Sequence, residues 1–152
     1  MAKVFLDTDV LLDLFLEREP HHTASLQLLT ELKRTAIRSY TSPVVLANMN
    51  YILTKAKGRD YSMRKLRSLR QMVGIVPIDQ ATVDAALASP QRDFEDSIQL
   101  HCAEASGIDA LITRNVRDYP KGRLRVIDPM QYLSSVLHGK KVEPNKSLEP
   151  TL

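Results

Sequence analysis

The sequence predicts a three-layer α/β/α domain built on a parallel sheet. Two observations carry that expectation. Short apolar runs of strand length alternate with longer amphipathic stretches of helical spacing, which is the pattern of parallel strands joined by right-handed helical crossovers. Carboxylates also recur just past the apolar runs, first at Asp7 after Val4-Phe5-Leu6 and again around Ile112-Thr113. The carboxyl ends of strands are where an open parallel sheet collects its ligands.

Each element has a local reason. Lys3 to Leu6 reads as a short buried strand, and Val10, Leu11, Leu14 and Phe15 then form a helical stripe ending before Glu19-Pro20. A second helix covers Thr23 to Arg34 with Leu26, Leu29 and Leu32 on its apolar side, and Ala36 to Tyr40 offers the next strand. Ser42-Pro43 opens another helix, because a Ser N-cap satisfies one orphan amide and Pro at the first helical position removes another. Gly58 closes it. From Ser62 to Met72, Leu66, Leu69 and Met72 interleave with Arg64, Arg67 and Arg70, which sets one apolar and one basic helical face. Gly74 to Ile78 reads as a strand, Asp79 caps a helix to Ala88, and Glu95 to Ser106 forms a helix ended by Gly107. Ala110 to Thr113 and Leu124 to Ile127 are the remaining strands, and Pro129 to Leu137 the last helix.

Length and composition bound the function classes. A chain of 152 residues suits one domain able to bury roughly 68–70% of its unfolded surface. Residues 1–137 form that domain, and the Lys, Pro, Asn and Ser content of residues 138–152 reads as a polar, flexible tail. The lone Cys102 excludes an internal disulfide and fits a buried small hydrophobe in a reducing cytoplasm. No apolar run is long enough to span a bilayer, and Asp7 and Asp9 follow the first strand too closely for a signal peptide. His21, His22, His101 and His138 lack ligand spacing, so zinc has no support.

The acidic clusters carry the chemistry. Asp7 is the first candidate ligand, since it ends the first strand, although an Asp there also caps the following helix. Asp9 lies in that helix's first turn, where the dipole favours a carboxylate, and Asp13 one turn on reads as a solvated surface charge. Asp93-Phe94-Glu95-Asp96 resembles a capping box, yet its three acids in four residues repel unless a cation compensates. Mg²⁺ or Mn²⁺ would do so, because hard cations take carboxylate, water and phosphate oxygens.

Phe5-Leu6-Asp7-Thr8-Asp9-Val10-Leu11-Leu12-Asp13, Asp93-Phe94-Glu95-Asp96 and Ile112-Thr113-Arg114-Asn115 with Asp118-Tyr119 resemble, in order, the three signature segments of PIN-domain ribonucleases. The resemblance covers Lys3 to about Leu137. It implies a Rossmann-like domain that binds Mg²⁺ or Mn²⁺ through acidic residues and hydrolyses RNA phosphodiesters. Many small bacterial members are VapC-type toxins, which implies a small antitoxin partner and a possible homodimer. By position, Asp7, Asp96 and Asp118 are then the metal ligands, with Thr113 and Asn115 completing the polar cluster. The ions would orient and acidify a water for in-line attack on phosphorus.

One position departs from the pattern. Asn48 stands in the segment where most active members carry Glu, and it offers a carbonyl oxygen in place of a charge. Asn is also a poor interior helix residue, so Asn48 and Asn50 point to a pocket or packing role. The net charge is only +3, but Lys55, Lys57, Arg59, Arg64, Lys65, Arg67 and Arg70 gather with Asp60 as the only nearby acid. With Arg114, this basic surface is the expected RNA contact; a solvated helix face or an acidic protein partner would use the same charges. Two alternatives stand beside the nuclease: a catalytically weak PIN module that only binds RNA or an antitoxin, and a phosphatase using Asp7-Thr8-Asp9-Val10 as a nucleophile motif.

Overall fold

The computed structural model describes residues 2–89, 93–122 and 124–148, with side chains as far as His138. Its centre is β1 (Lys3–Leu6), whose Val4, Phe5 and Leu6 are fully buried. A strand with both faces covered has no polar side to alternate with, which is why this run is continuously apolar. Parallel partners flank it: β2 (Arg38–Thr41) on one side and β4 (Ala110–Ile112) on the other, followed outward by β3 (Gly74–Ile75) and β5 (Arg125–Ile127). The strand order is β3-β2-β1-β4-β5.

That order fixes where a ligand can sit. The chain leaves β1 toward β2 and β3, then returns across the sheet to β4 and β5, so the topology reverses between β1 and β4. The crevice above the carboxyl ends of these two strands is lined by the residues that follow them, Asp7 and Thr113. Both still belong to the ladder, since Asp7 N–H donates to Ile112 O and Thr113 N–H to Ile127 O, each at 3.0 Å.

Among the described residues, seven α-helices cover the sheet in two layers. α1 (Thr8–Phe15) packs on α2 (His21–Arg34) and α3 (Pro43–Lys57), α3 pairs with α4 (Arg59–Met72), and α2 also meets the terminal helix α7 (Pro129–Leu148). The return connection carries α5 (Gln80–Ala88) and α6 (Phe94–Ala105), which pack on each other; right-handed crossovers put them on the opposite face. No helix among the described residues is long and apolar enough to cross a membrane.

The expected caps are formed. Ser42 Oγ accepts Val45 N–H, Asp79 accepts Thr82 N–H, and Asp93 accepts the amides of Glu95 and Asp96. Gly58, at φ +89°, turns α3 directly into α4 in a conformation that L side chains rarely adopt. Gly74 is needed for space: a Cβ there would lie 2.7 Å from the Tyr40 ring.

Several expectations change. Leu26 is 49% exposed; Leu28 takes its place in the core beside Leu29 and Leu32, because the inward stripe of α2 runs through Ser25 and Leu28. The strand expected over Ala36 to Tyr40 starts later and ends at Thr41, and the one expected over Gly74 to Ile78 shrinks to two residues at the sheet's edge. A 3₁₀ turn at Val116–Asp118 follows β4. α7 continues past Leu137 to Leu148, over the start of the expected tail, while residues 149–152 lie outside the described residues. Cys102 is buried with its thiol pushed up to about 12 by desolvation, so it packs as a hydrophobe.

Candidate active site

Asp7 is the hub. It is 5% exposed, and as the N-cap of α1 its Oδ1 accepts Thr8 N–H at 2.7 Å. Its Oδ2 accepts the Thr113 hydroxyl at 2.8 Å and lies 3.2 Å from the Tyr119 hydroxyl. That phenol is also 3.3 Å from Asp96 Oδ1 on the first turn of α6. With one proton between two acceptors, Tyr119 bridges β1 and α6 and can satisfy only one carboxylate at a time.

A second layer surrounds the hub. Asn115 Nδ2 donates to Asp9 Oδ2 at 2.9 Å, and Asn115 N–H donates to Thr113 Oγ1 at 3.1 Å, which orients the Thr hydroxyl toward Asp7. Across the mouth, Asn48 Nδ2 of α3 donates to Glu95 Oε2 of α6 at 2.9 Å. These groups, with Leu12, Arg18, Tyr51, Ile52 and Gln99, line one open cleft of about 370 Å³.

The electrostatics are unfavourable for the acids standing alone. Burial raises Asp7 above the ordinary carboxylate range, against hydrogen bonds from Thr113, Thr8, Tyr119 and Gln99 that favour the anion. Burial and then the Asp7 charge push Asp9 to about 6. Burial, followed by the charges of Asp93 and Asp7, pushes Asp96 to about 7. Tyr119 moves upward for the same reasons, burial and then its two acidic neighbours, and so stays a proton donor.

Such a pocket suits a hard cation. Beyond the strained carboxylates, the buried oxygens Asp9 Oδ1 and Gln99 Oε1 have no hydrogen-bond donor, and oxygen acceptors left bare beside acids are what Mg²⁺ or Mn²⁺ and their waters bind. Among the described residues, no group of three or more His, Cys, Asp or Glu already converges as a ligand set. Hydrogen bonds to Thr113, Tyr119, Asn115 and Asn48 hold the acids at their present positions.

The expected site residues separate accordingly. Asp7, Asp96, Thr113, Asn115 and Asn48 come together here. Asp118 is exposed on the 3₁₀ turn, outside the cleft lining, and acts on Asp96 as a nearby negative charge. Asp93 is a cap, as its structural reading required. Asp13 is a correction: it is fully buried, ion-paired with Arg114 at 2.7 Å and Arg18 at 3.0 Å, where a solvated surface charge was expected. Asn50 serves packing, accepting the Ser62 and Thr54 hydroxyls.

Two contributors were missed, Tyr119 and Gln99. Gln99 had a visible signal, being a polar residue one turn after Asp96 inside the apolar run Ile98, Leu100, Cys102 and Ala103. Replacing Tyr119 by Phe is expected to cost about 1–3 kcal/mol in urea unfolding of the metal-free protein, since it strips a donor from two partly buried carboxylates. An unchanged unfolding midpoint would mean that the phenol does not bridge them.

The basic residues divide as well. Lys55 Nζ lies 5.1 Å from the Tyr51 ring centre, and Lys57, Arg64 and Lys65 surround the Tyr61 ring at 5.4, 5.8 and 5.2 Å. Tyr51 is 63% exposed and lines the cleft, so this cationic, aromatic surface on the α3–α4 hairpin reaches the acids. Arg67 is exposed, Arg70 donates to Val73 O at the end of its own helix, and Arg114 is engaged with Asp13.

Comparison with known proteins supplies the relatives. A family model described as the PIN domain matches residues 3–117. The chain is similar to Ribonuclease VapC1 of Aquifex aeolicus (strain VF5), 25% identical over 122 residues that cover 77% of this chain and 84% of that one. Among solved structures, VapBC2 from Rickettsia felis bound to a promoter DNA fragment matches with a TM-score of 0.65 at 16% identity, covering 83% of this chain and 98% of that one. A toxin–antitoxin complex from Klebsiella pneumoniae matches with a TM-score of 0.63 at 23% identity, covering 83% and 97%.

Proposed function

The chain belongs to the PIN-domain family, and from that premise we propose that it is a metal-dependent endoribonuclease acting as the toxin of a toxin–antitoxin pair. One observation carries the reading: Asp7, Asp9 and Asp96 stand at the switch point of the sheet, raised toward neutrality by burial and mutual charge. An enzyme that must neutralise and position a phosphodiester benefits from such a site, because a cation held there stabilises the developing charge. Similarity to Ribonuclease VapC1 of Aquifex aeolicus and to the toxin–antitoxin complex from Klebsiella pneumoniae supports the toxin role.

The residues divide the work as follows. Asp7 and Asp96 would hold Mg²⁺ or Mn²⁺, with Asp118 as a further acid at the rim. The ion, when bound, supplies Lewis acidity toward the phosphate and the attacking water. Thr113 and Asn115 keep Asp7 and Asp9 oriented, and Tyr119 keeps Asp96 against Asp7. Asn48 adds an amide at the mouth. RNA is the substrate, an antitoxin the partner, and a homodimer the assembly that the family resemblance implies.

The direct test incubates the purified chain with a structured RNA pool in Mg²⁺ or Mn²⁺, beside EDTA and the Asp7→Asn and Asp96→Asn variants. Metal-dependent cutting lost in both variants is expected. Metal binding with no cutting by the native chain would favour the second reading, a binding module, for which the neutral Asn48 is the specific observation. Release of phosphate from a generic monoester would instead revive the phosphatase.

RNA should approach over the α3–α4 hairpin. Joint replacement of Lys55, Lys57 and Arg64 by Ala is expected to weaken RNA binding and lower the slope of log affinity against log salt by roughly 2, at about 0.7 per lost single-strand contact. Tyr51→Ala should cost a further ~1–3 kcal/mol without changing that slope, as a lost stacking face does. Unchanged affinity and slope in the triple variant would remove the hairpin from the RNA path.

A further inference from the structure

Glu95 lines the cleft as an acid with no role so far, held by a hydrogen bond from Asn48. That bond joins α3 to the first turn of α6, two helices from opposite layers, at 2.9 Å across the cleft mouth. We propose that Glu95, positioned by Asn48, is an additional carboxylate through which this cleft holds its divalent cation. The inference rests on the nuclease reading and concerns which side chains serve it.

Four considerations support it. Glu95 is exposed, and an exposed Glu ordinarily samples many rotamers; an amide donor fixed on the neighbouring helix selects the one over the cleft. Helix capping does not need it, because Asp93 already accepts the amides of Glu95 and Asp96. Independently of the acids, Gln99, only 2% exposed, lines the same cleft with Oε1 unpartnered, as expected of a pocket that takes a cation or its waters. Finally, the geometry admits one carboxylate at this contact. Glu at position 48 would bring a second anion to the place where the Asn48 amide now stands 2.9 Å from Glu95, whereas the Asn48 amide donates to Glu95 and keeps it aimed.

The acid at the mouth is therefore exchangeable between the two helices, and this can be tested without turnover. Mn²⁺ is titrated calorimetrically, in the absence of RNA, into the native chain, Glu95→Gln, Asn48→Ala, Asn48→Glu and the double exchange Asn48→Glu/Glu95→Gln, with Asp7→Asn as reference. Thermal melts verify that each variant is folded. Glu95→Gln is expected to weaken Mn²⁺ binding about tenfold or more, and Asn48→Ala by a smaller factor. The double exchange should return to within roughly threefold of native, because amide and carboxylate have only traded helices. Native-like binding by Glu95→Gln with loss in Asp7→Asn overturns the role of Glu95 and leaves the nuclease reading standing. A double exchange no better than Glu95→Gln overturns the positioning role of Asn48. If the native chain takes up no Mn²⁺, the metal-dependent reading itself falls, and this inference with it.

Discussion

Asp7→Asn is expected to abolish RNA cleavage, by at least about 10³-fold or ~4 kcal/mol of transition-state stabilisation, while making the metal-free protein more stable. The two effects share one cause. Asp7 is a buried carboxylate whose neighbours Asp9 and Asp96 oppose its charge, so the fold tolerates the anion at a cost that function requires. Asn keeps the shape. Its carbonyl can accept Thr8 N–H, and its amide can donate to the Thr113 and Tyr119 oxygens, which are able to accept as hydroxyls. Only the charge is removed, and with it the hold on a cation that we propose for Asp7.

The pH dependence follows with a definite sign. Folding raises the pKa of Asp7, of Asp9 to about 6 and of Asp96 to about 7, from a reference of 3.8. The folded state therefore binds these protons more tightly than the unfolded chain. Their contribution to stability is full below the unfolded value and is lost as pH rises through the folded values. In EDTA, the native melting temperature should fall between pH 5 and pH 8 by several degrees, at roughly 2–4 °C per kcal/mol for a chain of this size. Mn²⁺ should recover it at the upper end, and Asp7→Asn should flatten the slope. A variant that cleaves like the native chain would show that this crevice is not the reaction centre.

What the sequence disclosed, and what it hid, divides by the range of the interactions. The fold was legible because it is set locally: apolar runs with covered faces, Ser42, Asp79 and Asp93 as caps, and Gly58 as the turn between helices. Asp7, Asp96, Thr113 and Asn115 were legible because each follows a strand or opens a helix at one end of the sheet, so topology alone brings them together. The role of Tyr119 was not, although it stands in the third signature segment, since that role depends on reaching two acids far away in sequence. The meaning of Asn48 was hidden in the same way. By itself it reads as a missing carboxylate; beside Glu95 it is the donor that fixes one. α7 runs past Leu137 to Leu148 through Lys and Asn residues whose content suggested a tail, since a helix packed on α2 can continue through polar residues.

Asp13 is the clearest case of long-range pairing, and its replacement carries the largest expected loss of stability. At position 13 of an amphipathic stripe, one turn after Asp9, a carboxylate has no sequence signal for burial; its partner Arg114 enters from beyond β4. The pair is nonetheless close, with Arg114 Nε 2.7 Å from Oδ2 and Arg18 Nε 3.0 Å from Oδ1, around a carboxylate with no exposed surface. Asp13→Ala leaves two guanidinium groups facing an apolar gap, which costs about 3–5 kcal/mol for a fully buried pair. The lower end applies, because the arginine side chains keep 30% and 40% of their exposure and water can reach them. The consequence should extend to the site. Arg114 lies between Thr113 and Asn115, the two residues that orient Asp7 and Asp9, so releasing it loosens both donors and should lower cleavage even where the variant is fully folded. Urea unfolding of Asp13→Ala, Arg114→Met and the double variant measures the coupling. The double variant is expected to recover part of the stability, since only Arg18, 40% exposed, is then left without its carboxylate, but not the cleavage, since the anchor between α1 and the 113–115 turn is still gone. A loss under about 1 kcal/mol for Asp13→Ala would reduce the pair to an ordinary surface bridge and leave the turn to be held by its backbone alone.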